Sequence, residues 1–415
     1  MRRTISIAIF LQLLLVQLGT AQPKGAQERW LAAWASAQQI AEPQNMLPED
    51  ARQDVTLRQI VHLSAGGSHI QMRFSNAFGS TPLLIDDARV AIPSSPAQPT
   101  LLPNTDHAVT FSGRSSVLIP AGAEYLSDPI ELRVLPFSDL AVTLHVNEVP
   151  ARETSHPGSR ATSYVLPGDK SSDPDFENAR KIQHWYFLSE VDVRDSPIAA
   201  SVAVLGDSIT DGHGATTDAN DRWPDVLARR LQEKASPRAA AVLNLGIGGN
   251  RLLNDGLGPN ALARFERDIL ARPGVRYLVV LEGINDLGTL GRLAEVPAAQ
   301  HEELIRRMIA AYQQMIRKAH AQGILVYGAT ILPDGGSDYY HPGPASEADR
   351  QAVNQWIRTS GEFNGVIDFD KLLSDPKQPD HLIPAYDSGD HLHPSALGYK
   401  IMGESIPPAL FSATR

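Results

Sequence analysis

The sequence predicts an α/β domain built on a parallel sheet, preceded by an all-β domain of the sandwich or jelly-roll type. Three observations lead to this prediction. The chain has 415 residues, which is more than one ordinary hydrophobic core supports. Apolar residues recur with a period of two before about residue 190, whereas beyond residue 198 apolar runs alternate with helical patterns. We therefore expect a β-rich accessory domain over residues 25–192 and an α/β domain over residues 198–415.

Residues 1–21 have the composition of a secretory signal peptide. Two arginines precede the apolar run ISIAIFLQLLLVQL, and small residues follow it before Gln22. A membrane anchor needs about 20 apolar residues, and two glutamines interrupt this run. We therefore predict cleavage near Ala21, export to the periplasm or the medium, and no membrane span in the mature chain.

The overall composition narrows the classes of partner. The formal net charge is −10 and there is no basic run, which argues against binding to nucleic acid or to an anionic membrane surface. The absence of cysteine excludes disulfides, thiolate metal sites and cysteine nucleophiles. The 13 histidines show no spacing typical of a metal site. We expect no metal and no cofactor, and the sequence does not indicate an oligomeric state.

The β-rich region is predicted from segments in which every second residue is apolar. Three clear examples are HIQMRF at 69–74, PIELRV at 129–134 and LAVTLHV at 140–146. Such runs, separated by clusters of Gly, Pro, Ser and Asp, are typical of half-buried antiparallel strands. Several of them at short spacing predict a β-sandwich or jelly roll.

Beyond residue 198 the pattern changes to that of a parallel α/β sheet. The following short apolar runs are predicted as buried strands: VAVL at 202–205, AVLNL at 241–245, YLVVL at 277–281, ILVYGATIL at 324–332 and VIDF at 366–369. Helices are predicted at 224–234, with Pro224 at the first position, and at 301–321, with Gly323 as the C-cap. Ligands of such sheets bind at the carboxyl ends of the strands.

Polar residues suited to catalysis stand just beyond these strands. Ser208 follows the first strand in GDSIT, Gly249 follows the second in IGGNR, and Asn285 follows the third in EGIND. Asp390 and His393 follow the last strand, in GDHLHP. Because the carboxyl ends of parallel strands lie along one edge of a sheet, we expect the first three to meet there. The loop that carries the last two can return to the same edge.

These residue types fit nucleophilic catalysis by serine. A serine hydroxyl needs a base to take its proton, and the base works best when a third group orients it. Asp390 and His393 are three residues apart, so one turn of chain brings their side chains to one face. Donors for a developing oxyanion are the backbone N–H groups of Ser208 and Gly249 and the side-chain amide of Asn285.

Each of these residues taken singly also has an ordinary structural interpretation. A serine after Gly-Asp can belong to a turn, Asn285 can form an Asx turn, and the two glycines can make a tight connection. Asp390 and His393 can be a surface pair, or this pair can be half of a metal site with His391. Their joint position at successive strand ends favours the catalytic interpretation.

Four blocks in this order resemble those of the SGNH (GDSL) hydrolase superfamily: GDSIT, GGN, GIND and DHLH. The segments TTDANDRWPDVLARRL and NLGIGGNRLL are similar to exported acylhydrolases and arylesterases associated with xylan degradation. The resemblance covers about residues 198–410. It implies a flavodoxin-like sheet of five strands with helices on both faces, and hydrolysis of an ester through an acyl-serine intermediate.

The resemblance also implies a role for the residue in each block. It implies Ser208 as the nucleophile, His393 as the base and Asp390 as the group that orients the base. It implies Ser208, Gly249 and Asn285 as the oxyanion donors. Gly249 rather than its neighbouring glycine is assigned because it directly precedes the asparagine of GGN.

Further residues close to the four blocks are predicted to contact substrate: Asp207, Asn250, Arg222, Trp223 and Tyr339. The polar loop PDGGSDYYHPG also offers Asp334 and Tyr340, since loops on a rigid scaffold often carry specificity. Trp223 has an alternative interpretation as core packing at the start of a helix.

The leading functional prediction is a secreted or periplasmic serine esterase that removes small acyl groups, such as acetyl, from plant polysaccharides or oligosaccharides. The acyl preference rests on the resemblance to the xylan-associated subgroup. A broad-specificity aryl esterase or lipase-like acylhydrolase is the nearest alternative. A carbohydrate-binding protein with a decayed esterase domain is another. A phosphoesterase or nucleotide-binding protein is disfavoured, because GDSITDG has neither a phosphate-binding lysine nor a set of metal ligands.

Overall fold

The computed structural model describes residues 29–198, 200–233 and 240–412. The predicted signal peptide lies outside these residues. The described N-terminal part consists of short strands and two 3₁₀ turns, Pro43–Asn45 and Glu49–Ala51. Its strands are β1 Trp30–Ala35, β2 Gln39–Ile40, β3 Gln53–His62, β4 His69–Ser75, β5 Leu83–Ile85, β6 Asp87–Ala91, β7 His107–Ala108, β8 Val117–Ile119, β9 Glu124–Leu126, β10 Asp139–Glu148, β11 Thr154–His156, β12 Ser163–Pro167, β13 Arg180–Ile182, β14 Trp185–Tyr186 and β15 Leu188–Arg194.

Two antiparallel sheets form most of this N-terminal part. One has the order β1-β15-β4-β9 and the other the order β13-β12-β3-β10-β6-β7. Alternate residues of β4, namely Ile70, Met72 and Phe74, are fully buried and share one apolar core with Leu57 of β3 and Val142 of β10. The strands predicted in HIQMRF and LAVTLHV are confirmed, and two sheets that face one core form a β-sandwich.

The segment PIELRV, predicted as a strand, does not form one. Ile130, Leu132 and Val134 are buried, as the alternation indicates. The segment pairs only through isolated bridges, from Ile130 to Ile70 and from Val134 to Gly67. Burial of one side explains the sequence pattern, whereas a strand also needs a continuous hydrogen-bond ladder.

The second part is an α/β domain whose main sheet has five parallel strands in the order β17-β16-β18-β19-β20. This order is that of flavodoxin-like sheets, so the predicted fold class is confirmed. The strands are β16 Ala200–Gly206, β17 Ala240–Gly246, β18 Val275–Leu281, β19 Leu325–Ala329 and β20 Gly365–Ile367, and a small pair is formed by β21 Ser374–Asp375 and β22 Gln378–Leu382. The helices are α1 Ser208–Asp211, α2 Trp223–Glu233, α3 Ala261–Phe265, α4 Ile284–Thr289, α5 Ala298–Ala321, α6 Pro344–Thr359, α7 Phe369–Leu373 and α8 Ala396–Ser405.

The sheet topology places the functional site. Every residue of β16, the central strand of the first three, is buried, as expected of a parallel strand covered on both faces. The chain moves from β16 to β17 on one side and later to β18 on the other side. The loops after these three strands therefore diverge from one point at the carboxyl edge, which is where ligands of such sheets bind.

The two predicted helices are present with small differences at their ends. α5 contains the predicted range 301–321, and the N–H of Gly323, whose φ is +72°, donates to His320 O beyond the helix end. α2 begins at Trp223, so that Pro224 is its second residue rather than its first. Proline has no N–H to donate, so it fits anywhere in the first turn of a helix.

β19 and β20 end earlier than the predicted runs, at Ala329 and Ile367. After β19, the N–H of Ile331 donates to the side chain of Asn354 on α6 at 2.7 Å. After β20, the side chain of Asp368 caps α7. Beyond both strand ends, side chains rather than a neighbouring strand accept backbone N–H groups. An apolar run in the sequence does not show where this change occurs.

The N-terminal part packs against the edge strand of the parallel sheet. The N–H of Val242 on β17 donates to Ser64 Oγ at 3.0 Å, and Ser201 Oγ on β16 donates to Ala32 O at 2.8 Å. Ala32 of β1 is fully buried within the apolar core of the α/β domain. This packing covers a sheet edge that would otherwise expose backbone groups. The domain boundary given above stays a prediction.

Candidate active site

Ser208 stands where β16 turns into α1. β16 ends at Gly206, and the side chain of Asp207 caps α1 by accepting the N–H of Ile209 at 2.9 Å. A Cβ on Gly206 would collide with the side chain of Thr210, so the turn needs glycine at this position for space. The turn therefore presents Ser208 at the first position of the helix.

The structure brings Ser208, His393 and Asp390 into one hydrogen-bonded chain. Ser208 Oγ is 2.8 Å from His393 Nε2, and His393 Nδ1 is 2.6 Å from Asp390 Oδ2. Asp390 Oδ1 also accepts the backbone N–H groups of Leu392 and His393, at 3.0 and 2.8 Å. The loop fixes the carboxylate against the ring, which favours the proton on Nδ1 and leaves Nε2 free to accept the serine proton.

The carboxyl group of Asp390 is held in its ionised form. Partial burial acts to raise the pKa of Asp390, but the hydrogen bonds from the ring and N–H of His393 and from the N–H of Leu392 lower it well below its usual value. An ionised carboxylate stabilises the imidazolium that forms when His393 takes a proton. The three side chains can therefore carry out base-assisted attack by the serine hydroxyl on a carbonyl carbon.

The three predicted oxyanion donors follow three neighbouring strands, β16, β17 and β18. Gly249 has a φ of +70°, a conformation that favours glycine. Within residues 200–233 and 240–412, no hydrogen bond uses the backbone N–H of Ser208 or Gly249. Asn285 Nδ2 donates one of its two protons to Asn250 O at 2.7 Å and keeps the second. All three donors thus remain available to a ligand.

The amide of Asn285 is held in one orientation by Tyr340. Tyr340 Oη donates to Asn285 Oδ1 at 2.6 Å, while Nδ2 of the same amide donates to Asn250 O. A flipped amide would set Oδ1 against the carbonyl of Asn250, with two acceptors facing each other. Tyr340 is 6% exposed, and a Cβ on Gly288 would collide with its ring. The glycine therefore makes room for the tyrosine that orients the amide.

Replacing Tyr340 by Phe is expected to lower kcat about fivefold and to change KM little, because one neutral hydrogen bond of about 1 kcal/mol no longer fixes the Asn285 amide. Steady-state kinetics on p-nitrophenyl acetate measures the effect. Tyr339→Phe is the matched control, since it removes the hydroxyl of the neighbouring tyrosine, a residue that is 51% exposed. A kcat of Tyr340→Phe equal to that of the control would contradict the assigned role.

Arg264 on α3 ties the loops of the site together, and sequence reasoning missed it. Its Nε donates to Asn250 Oδ1 at 2.9 Å, its Nη1 to Leu245 O at 2.7 Å and its Nη2 to Gly206 O at 3.1 Å. Its side chain is fully buried. One guanidinium therefore fixes the ends of β16 and β17 and the turn that carries Gly249. An arginine among the polar residues of ARFERD gives no local signal of such a position.

Three buried carboxyl groups lie behind the site: Asp207, Glu282 and Asp286. Burial raises the pKa of Asp207 to about 7 and that of Asp286 to about 6. Burial, followed by the charge of Asp207, raises the pKa of Glu282 well above its usual value. Asp286 also accepts the N–H of Leu252 at 2.7 Å. In the described structure neither oxygen of Glu282 has a hydrogen-bond partner, and Oε2 lies 3.9 Å from Arg264 Nη2.

Glu282→Gln is expected to make the free energy of unfolding less dependent on pH. In the wild type, the folded state retains a proton on Glu282 that the unfolded chain releases above its ordinary pKa of 4.5. The stabilising contribution is thus full below that pH and is lost as the pH rises through the folded-state pKa, at about 1.36 kcal/mol for each pKa unit of difference. Glutamine carries no such proton. Urea unfolding at pH 5 and pH 8 measures the slope, and Glu303→Gln at an exposed carboxylate of α5 is the control. An unchanged slope would contradict the prediction.

The structure places four of the five residues predicted to contact substrate in the interior, where each has a structural partner or packing role. Asp207 and Asn250 are each 1% exposed, Arg222 is 7% exposed and Trp223 is fully buried. Asp207 caps a helix, Asn250 accepts from an arginine of α3, and Arg222 pairs with a carboxylate of α2 at 2.7 Å. Trp223 packs edge-on against Phe369 at 5.5 Å, as its alternative interpretation expected.

Tyr339 is the exposed residue of that set. Its side chain is 51% exposed, and the guanidinium of Arg292 lies 4.0 Å from its ring centroid. Asp334, from the same loop, is only 4% exposed. The Tyr339 ring is 4.7 Å from that of Tyr340, so the exposed ring is linked to the residue that orients Asn285.

His213 joins the site, although nothing in the sequence singled it out. Its ring centroid is 4.1 Å from that of His393, and its Nε2 is 3.8 Å from Asp390 Oδ2. Burial, followed by the charge of His393, lowers the pKa of His213, which favours a neutral ring beside the base. Across the described residues, these three form the group of His and Asp side chains that could hold a metal ion, with ligand atoms within 4.8 Å. Two of the three are already bonded to each other in the chain to Ser208.

Comparison with known proteins shows a similarity of the second part to one family. Residues 204–401 match the family model for GDSL-like lipase/acylhydrolase. A lipase/acylhydrolase from Enterococcus faecalis is 22% identical, with a TM-score of 0.37, over 49% of this chain and 92% of its own. A GDSL-like lipase from Bacteroides thetaiotaomicron is 18% identical, with a TM-score of 0.38, over 51% of this chain and 88% of its own. An acetyl xylan esterase is 19% identical, with a TM-score of 0.36, over 49% of this chain and 96% of its own. No curated protein matches the chain.

Proposed function

We propose that the protein is a carboxylic ester hydrolase that works through an acyl-serine intermediate on Ser208. The match of residues 204–401 to the family model for GDSL-like lipase/acylhydrolase supports this activity. The observation that carries this proposal is the chain of hydrogen bonds from Ser208 Oγ through His393 to Asp390, at 2.8 and 2.6 Å.

In this mechanism the serine oxygen forms a bond to the ester carbonyl carbon while His393 takes the serine proton. The N–H donors of Ser208, Gly249 and Asn285 stabilise the oxyanion. His393 then gives its proton to the leaving alcohol as the C–O ester bond breaks. Water attacks the acyl-serine with His393 again as base, and Ser208 regains its proton as the carboxylic acid leaves. Asp390 stays ionised throughout.

For the substrate, we propose acetyl esters of plant polysaccharides or oligosaccharides. The atoms that would lie closest to a Cβ on Gly249 all belong to Leu257, at 2.9 to 3.4 Å, and this leucine is 48% exposed. One partly exposed leucine beside the oxyanion turn suits a short acyl group better than a long chain, which gains from an extended apolar groove. The exposed ring of Tyr339 suits packing against a sugar. The resemblance to the xylan-associated subgroup also supports this substrate.

The test is acetate release from acetylated xylan, acetylated xylo-oligosaccharides and acetylated pectin, with Ser208→Ala as the control. We expect release from at least one acetylated glycan, and on p-nitrophenyl esters a kcat/KM that falls steeply from acetate to decanoate. Hydrolysis of p-nitrophenyl acetate without release from any of these glycans would contradict the proposed substrate and favour a broad-specificity aryl esterase. Equal kcat/KM on acetate and decanoate would favour a lipase-like enzyme.

We also propose that the protein is exported to the periplasm or the medium. The composition of residues 1–21 and the absence of cysteine support this location. Over residues 29–198, 200–233 and 240–412, no helix has the length and apolar character to cross a membrane. N-terminal sequencing of protein recovered outside the cytoplasm is expected to give a mature chain that starts near Gln22. An intact residue 1 on cytoplasmic protein would contradict export.

A further inference from the structure

One side chain of the N-terminal part reaches the turn that carries Ser208. His156 is the last residue of β11, and its Nε2 is 2.9 Å from Asp211 Oδ1. Asp211 is the last residue of α1, the short helix that Ser208 begins. Both side chains are only 4% exposed, so water screens their interaction little. This pair connects the two parts of the chain directly behind the catalytic serine.

Three contacts hold the ring of His156 in place. Its Nδ1 is 2.7 Å from Ala37 O, a carbonyl that can only accept, so Nδ1 donates this hydrogen bond. Its Nε2 contacts the Asp211 carboxylate at 2.9 Å. The ring is also stacked on Trp185, with centroids 5.5 Å apart and an interplanar angle of 25°. The ring of His156 therefore links the backbone of the N-terminal part to a buried carboxylate of α1.

Asp211 is packed from three sides. Its backbone N–H donates to Asp207 O at 2.8 Å, within the turn of Ser208. A Cβ on Gly158, from the N-terminal part, would collide with Asp211 Oδ2, and a Cβ on Gly248 would lie 3.7 Å from the same oxygen. The carboxylate of Asp211 thus lies between the nucleophile turn, the turn that precedes Gly249, and the N-terminal part.

We propose that His156 is a positioning residue for ester hydrolysis, because its ring holds the Asp211 side chain and thereby fixes the α1 turn that presents Ser208. This role rests on Ser208 as the nucleophile, as proposed above. The N-terminal part then acts as a component of the catalytic centre, since it supplies the ring that contacts Asp211 Oδ1. Loss of His156 would leave a buried carboxylate oxygen without this hydrogen-bond partner, and the turn must move to hydrate it or to protonate it.

The experiment compares His156→Gln, Asp211→Asn and the double variant in the full-length protein. The control is His145→Gln, which breaks a histidine–aspartate pair within the N-terminal sheets, at 3.1 Å from Asp54. The readouts are kcat and KM on p-nitrophenyl acetate, the labelling rate of Ser208 by a fluorophosphonate, and the melting temperature. We expect each single variant to lower kcat and the labelling rate by about tenfold or more, with KM changed by less than about threefold. We expect the double variant to lose less than the product of the two single losses, because both changes break one interaction.

A kcat of His156→Gln within about twofold of the His145→Gln control, in folded protein, would overturn the proposal, and so would losses that multiply in the double variant. If His156→Gln does not fold, Gly158→Ala provides the same test, because its added methyl group displaces the Asp211 carboxylate. Folded Gly158→Ala protein with reduced kcat supports the proposal, and unchanged kcat overturns it. Failure of the proposed nucleophile is distinct, since it appears as activity retained in Ser208→Ala.

Discussion

Ser208→Ala is expected to lower kcat on p-nitrophenyl acetate by a factor of about ten thousand or more. The variant removes the only atom that can form the acyl-serine, while the oxyanion donors on Gly249 and Asn285 remain. Residual activity would come from these donors and from substrate binding, as in other hydrolases that have lost the nucleophile. KM or the binding constant of a competitive inhibitor should therefore change little.

The control for this prediction is Ser405→Ala. Ser405 donates to Met402 O at 2.8 Å at the end of α8, within the same domain but outside the site. Near-ultraviolet circular dichroism and the melting temperature should be unchanged in both variants. A folded Ser208→Ala protein that keeps more than about a tenth of the wild-type kcat would contradict the assignment of the nucleophile.

Asp390→Asn is expected to give the second largest effect, a loss in kcat of about a thousandfold to ten-thousandfold. Asp390 Oδ2 accepts the proton on His393 Nδ1 at 2.6 Å, and an amide NH2 in that place would instead require an acceptor. The ring would then carry its proton on Nε2, which faces Ser208 Oγ at 2.8 Å and could no longer take the serine proton. The variant should retain its fold, because the side-chain oxygen can still accept the backbone N–H groups of the loop.

Ser388→Ala is the matched control for Asp390→Asn. Ser388 Oγ donates to Asp390 Oδ1 at 2.9 Å, on the side of the carboxylate away from the ring proton. Loss of this exposed hydrogen bond should lower kcat severalfold at most. Equal losses in the two variants would mean that the position of the loop, rather than the tautomer of His393, limits the reaction.

The main sheet and the triad could be predicted from sequence because their signals are local. A buried parallel strand is encoded by a short apolar run, and β16, β17 and β18 each contain one of the predicted runs. Ser208 and Asn285 stand a few residues after two of these runs, while Asp390 and His393 are only three residues apart. The topology then requires the strand ends to meet.

The supporting residues of the site could not be predicted, because they meet their partners only through the fold. Tyr340 is 55 residues from Asn285, Arg264 is 58 residues from Gly206, and His156 is 55 residues from Asp211. Nothing next to Arg264 or His156 in the sequence distinguishes them from surface side chains, and the loop that singled out Tyr340 gave no sign of its contact with Asn285. Which residues are buried could not be predicted for the same reason. Trp223 is an example, because its packing partner Phe369 lies in a helix that is distant in the sequence. Adjacency to a motif therefore predicted which side chains meet at the strand ends, but it did not predict which neighbouring side chains are buried.

The most direct test of acyl-serine catalysis is to trap the intermediate. The protein is mixed with excess p-nitrophenyl acetate, quenched in acid within the first turnovers, digested and analysed by peptide mass spectrometry. One acetyl group is expected on the peptide that contains VAVLGDSITDG, localised by fragmentation to Ser208, and absent from Ser208→Ala protein. An acetyl group on another residue that forms and decays at the rate of turnover, with Ser208 unmodified, would contradict the account.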